Sequence, residues 1–115
     1  MARMLPVFLW RTRDRLDLAE LVRQAEGKSE GPALGFFLET AARLGGSGVF
    51  DETLRRLRAS ARPARPFYFF VGAHGRPWER AAADENTPAV ARQWGLLMNM
   101  PWESFASYFE KAAEL

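Results

Sequence analysis

Five stretches of this chain repeat apolar residues at intervals of three and four, and each is opened or closed by a glycine or a proline. That spacing places the apolar side chains on one face of an α-helix, so the chain must fold by packing short amphipathic helices together. The first stretch starts at Asp17, an N-cap with Glu20 three residues on, and runs through Leu18, Leu21, Val22 and Ala25 to Gly27. A second begins at Pro32, sets Leu34, Phe37, Leu38 and Ala41 on one stripe, and stops at Gly45-Gly46. Phe36 lies off that stripe, which predicts a helix touching two neighbours. The third, roughly Asp51 to Ala61, buries Leu54, Leu57 and Ala61, with Phe50 just ahead, and is ended by Pro63 and Pro66. A fourth opens at Thr87-Pro88 with Val90, Trp94 and Leu97 on one face. A fifth starts near Pro101 and repeats Trp102, Phe105, Phe109 and Ala112.

Two segments read as strands. Phe67-Tyr68-Phe69-Phe70-Val71 is apolar at every position and is broken by Gly72, Gly75 and Pro77, so both faces should be covered. Met4 to Trp10 reads as a short strand, and Pro6 assigns it to an edge because proline cannot donate to a ladder. The expectation is one helix-dominated α+β domain over residues 1–115, with about five helices and two strands in the order β-α-α-α-β-α-α. The two strands are candidates to lie side by side in a small sheet. A chain of 115 residues with 48% hydrophobic side chains is large enough to bury one core.

The absence of cysteine rules out a disulfide framework and places the chain in the cytoplasm as an expectation. Arg11, Arg13, Asp14 and Arg15 follow the apolar N-terminal run where a cleavage site would stand, so the run is not read as a targeting segment. No stretch approaches the roughly 20 apolar residues of a membrane span, and no membrane partner is expected. Gly27-Lys28-Ser29 resembles the end of a phosphate-binding loop, but Val22 stands where its first glycine belongs and a helix precedes it. Gly45-Gly46-Ser47-Gly48 reads as the passage between two helices. With one histidine and no cysteine the chain offers no metal set, and it lacks a Gly-x-Ser-x-Gly elbow, so no catalytic residue and no cofactor are assigned.

Charge is unevenly placed. Residues 1–50 carry seven basic and six acidic side chains, residues 51–80 carry seven and three, and residues 81–115 carry two and five. Arg55, Arg56, Arg58, Arg62 and Arg65 put five positive charges in eleven residues. With only two lysines among sixteen basic residues, this arginine bias also fits the codon usage of a GC-rich, bacterial-type genome. Three functional readings follow. The favoured one is a non-enzymatic interaction or regulatory module that binds another protein or a second copy of itself, the basic middle against the acidic, aromatic C-terminal part. An alternative is a nucleic-acid-binding, helix-turn-helix-like regulator using the arginine segment, although a net charge of +2 is low for phosphate binding. A second alternative is a small-ligand binder or enzyme on the turn holding His74, Arg76 and Trp78, which offer a proton carrier, an anion fork and a stacking wall.

Overall fold

The computed structural model describes residues 4–60, 67–68 and 77–113. Its helices are α1 (Met4–Arg11), α2 (Leu18–Gly27), α3 (Gly31–Gly45), α4 (Asp51–Ser60), α5 (Pro77–Asn86), α6 (Ala89–Gln93) and α7 (Trp102–Ala113). Two strands of two residues each, β1 (Phe67–Tyr68) and β2 (Leu96–Leu97), complete the order α1-α2-α3-α4-β1-α5-α6-β2-α7. The fold is helix-dominated, and the two strands amount to one short parallel contact rather than a sheet layer.

α3 is the axis of the molecule. Its residues from Gly35 to Ala42 are all buried, and α1, α2, α4, α6 and α7 pack around it. The second apolar direction expected from Phe36 is therefore real. Phe36 and Leu38 are both fully buried, with the Phe36 ring 5.1 Å from that of Phe37 and 5.5 Å from that of Phe105. Leu57, Met98 and Phe50 fill the remaining interior.

Local signals account for the start of α2 and for both ends of α3. Asp17 accepts from the Glu20 amide at 3.1 Å and so satisfies one orphan N–H at the start of α2. The Glu20 carboxylate does not complete a reciprocal cap, because it is taken by Arg23 and Gln24 one turn further on. α3 carries Pro32 in its first turn and stops at the expected Gly45-Gly46 pair.

The first expected strand is a helix. Met4 to Arg11 is α-helical, with Pro6 in the first turn, where its missing N–H costs nothing because that donor has no intrahelical acceptor. An unbroken apolar run carries no period, so the proline was the deciding residue and it admitted both structures. The pairing of that segment with Phe67–Val71 falls with it. β1 instead pairs in parallel with β2, Phe67 opposite Leu96 and Tyr68 opposite Leu97. Phe69 to Val71 lie outside the described residues. The fourth helix is also shorter than its periodicity suggests: α6 ends at Gln93, and Gly95, at a φ of +74°, turns the backbone so that Leu96 and Leu97 enter a strand. α5 occupies a stretch to which the periodicity assigns no element, with Pro77 as its first residue.

Candidate interaction site

Arg55, Arg56 and Arg58 sit on α4, where Leu54 and Leu57 are drawn into the core and leave the other helix faces to the charges. Arg55 is exposed. Arg56 Nε stands 4.0 Å from Glu26 Oε1 on α2. Arg58 Nη2 donates to Glu39 Oε1 on α3. Ala61, Arg62 and Arg65 lie outside the described residues, as do His74 and Arg76, so the expected ligand turn is represented by Trp78 alone. That side chain, at the second position of α5, is 64% exposed.

Arg58 leads to a residue the sequence reading did not single out. Glu39 is 3% exposed, in the middle of the most buried helix. A carboxylate taken out of water costs several kcal/mol unless cations and donors meet it. Three groups do so here. Arg58 bonds Oε1, Trp94 Nε1 donates to the same oxygen at 3.1 Å, and Arg43 Nη2, one turn along α3, stands 2.8 Å from Oε2. The Arg43 contact is charge against charge rather than a directed hydrogen bond. Both arginine side chains keep about half of their surface in water, at 52% and 53%. The Arg58 guanidinium also lies 5.5 Å from the centre of the Trp94 ring.

Trp94 reaches Glu39 because Gly35 has no side chain. A Cβ there would come within 2.3 Å of the indole, so only glycine lets the ring lie against α3. The i, i+4 pair Glu39 and Arg43, inside a helix apolar in two directions, is the signal that marks this buried charge in advance.

A second site stands on α1. Val7 and Leu9 face the core, and Trp10 meets the Phe109 ring of α7 at 6.3 Å. The helix has no polar side for the water: Met4, Leu5 and Phe8 are exposed at 49%, 41% and 56% and share an arc of about 100°. Arg11 continues that arc, exposed, while its Nη2 donates to the Ala112 carbonyl at 2.7 Å. Arg15, also exposed, follows in the turn after the helix. Three large apolar side chains grouped on one helix are more than the scattered single residues of an ordinary surface.

No family model, curated protein or solved structure matches this chain. The chemistry of these surfaces is thus carried by their own residues. Among the described residues no group of His, Asp or Glu is arranged to hold a metal ion, and no helix is long and apolar enough to cross a membrane. A shallow groove of about 330 Å³ on α7, lined by Glu103, Ser104, Ser107, Tyr108 and Lys111, contains no buried polar side chain that would orient a ligand.

Proposed function

We propose that this protein is a non-enzymatic interaction module that associates with a second copy of itself through the exposed face of α1. The observation that carries the reading is the grouping of Met4, Leu5 and Phe8 in water on a helix whose other side is packed. Burial of such a face is favourable at about 25 cal/mol per Å², and an aromatic anchor with an arginine beside it is the usual composition of an interface centre. A second copy supplies complementary charge: Arg11 and Arg15 rim the apolar face, while Glu85, Glu103 and Glu110 are exposed in the acidic part of the chain. The basic helix α4 is a weaker docking surface than its arginine count suggests, because Arg58 is committed to Glu39 and Arg56 stands beside Glu26.

The test is multi-angle light scattering over a range of concentrations with the parent, Phe8→Glu and Arg55→Glu. The expected result is a dimer or larger species in the parent and in Arg55→Glu, and a monomer with unchanged helical content in Phe8→Glu. A parent that stays monomeric at high concentration overturns the reading. Loss of association in Arg55→Glu alone moves the contact to α4.

A further inference from the structure

We infer that the exposed face of α1 docks on the outer stripe of α7 in the second copy, in two reciprocal contacts closed by a two-fold axis. This rests on the self-association proposed above and names the surface that receives α1. A face of α1 laid on the same face of its copy finds no opposite charge. The helix Met4–Arg11 contains no carboxylate, and the turn after it adds Arg13 and Arg15 against Asp14. Parallel packing sets Arg11 against its own copy. Antiparallel packing sets it over the start of the copied helix, where free N–H groups form the positive end of the dipole. α7 offers what α1 lacks. Glu103, Ser107 and Glu110 are exposed and recur after four and three residues, so they form one stripe about 10 Å long, with Lys111 the single cation of the helix. Beside the stripe lies the shallow groove over Ser104, Ser107 and Tyr108. Without a buried polar group it cannot orient a free ligand, but it can receive the ring of Phe8 carried by a docked helix, next to the Tyr108 ring.

The two surfaces also stand in the right relation. α1 and α7 pack on each other and both rest on α3, so their outer faces look away from the same core. Their C-terminal ends meet, with Trp10 against Phe109 and Arg11 on the Ala112 carbonyl. A two-fold axis running between them, along the helices, therefore lays each α1 on the α7 of the other copy and closes the assembly at two chains. In that arrangement α1 runs in the same direction as the α7 beneath it. Phe8 enters the groove, and the cations that follow it in sequence point towards Glu110 and the carbonyl end of α7, which favours positive charge. Arg11 is already engaged by its own α7, which makes Arg15 the cation that reaches across. Glu103 lies at the other end, under the start of the second copy's α1, whose N–H groups favour a carboxylate.

The experiment is sedimentation equilibrium on the full chain, with circular dichroism to check that helix content is kept. It compares the parent with Arg15→Glu, with Glu110→Arg, with both changes together, and with Glu85→Arg, which reverses an exposed carboxylate on α5. The expected result is a dimer that each single reversal at Arg15 or Glu110 weakens about tenfold or more, that the double reversal largely restores, and that Glu85→Arg leaves within about twofold. A parent dimer that Phe8→Glu abolishes but Glu110→Arg does not weaken overturns the docking on α7 and leaves α1 as the contact. So does a double variant in which the two losses add. Species that grow beyond two chains with concentration overturn the two-fold closure. A parent that is monomeric throughout removes the self-association itself.

Discussion

The two flanks of α3 are built on different principles. On one side the contacts are chiefly ring on ring: Phe36 of α3 against Phe105 of α7, and Trp10 of α1 against Phe109 of α7. On the other side Arg58 of α4 and Trp94, just past α6, converge on the buried Glu39 carboxylate of α3. Apolar contact is non-directional, so the first flank supplies burial and accepts small rotations, and it leaves Met4, Leu5 and Phe8 on its outer rim without penalty to the core. A charged hydrogen bond has a length and an angle. The second flank therefore specifies where its elements sit.

The comparison breaks most visibly at Phe36. Phe36→Ala should cost about 3–5 kcal/mol in urea denaturation, because a fully buried ring leaves a cavity that its aromatic neighbours fill only in part. A cost below about 2 kcal/mol would mean the carbon flank can collapse around the gap. Gly35→Ala probes the opposite flank and should cost about 1–3 kcal/mol by overpacking against the Trp94 indole. Its signature differs from that of Phe36→Ala: the indole N–H resonance and the tryptophan emission should move as the bond to Glu39 is lost. An unperturbed indole would show that the ring has room to tilt.

The smallest effect comes from Glu20, the exposed counterpart of Glu39. Its carboxyl is held below the ordinary value of 4.5, first by the Arg23 hydrogen bond and then by that of Gln24. A depressed folded value means that the ionised pair supports α2 above the ordinary carboxylate range and that this support fades as pH falls through the folded value. Because both side chains keep much of their surface in water, the effect on melting should be slight. The measurement that finds it is the Glu20 side-chain carbon shift against pH, with a midpoint below 4.5 that rises in Arg23→Ala.

Legibility of the fold followed where the physics is local. The helix from Asp17 to Gly27 and the one from Pro32 to Gly45 were readable because period, cap and stop coincide in each. Met4–Arg11 was not, since a run apolar at every position has no period and its proline suits a first helical turn as well as an edge strand. Leu97 was placed on a helix because the spacing from Val90 and Trp94 continues through it, and spacing does not register the turn that Gly95 makes. At the site, Arg55, Arg56 and Arg58 were visible as a cluster, yet their separate fates depend on Glu26 and Glu39, which lie far away in sequence. Burial of Glu39 is a tertiary outcome. Its only local hints are the surrounding Phe36, Phe37 and Leu38 and the Arg43 partner one turn on.

The bond from Arg11 to the Ala112 carbonyl spans 101 positions of the chain and fastens the first helix to the last. During synthesis at about 5–20 residues per second, α7 leaves the ribosome several seconds after α1. In that interval α1 has α3 to rest on, since α3 follows within the next few dozen residues and is its most extensive neighbour. The aromatic closure of Trp10 on Phe109 comes afterwards. Until Phe109 has emerged, a nascent chain thus carries α1 bare on two sides, and a ribosome that stalls before Trp102 would present that helix to whatever binds unfinished proteins.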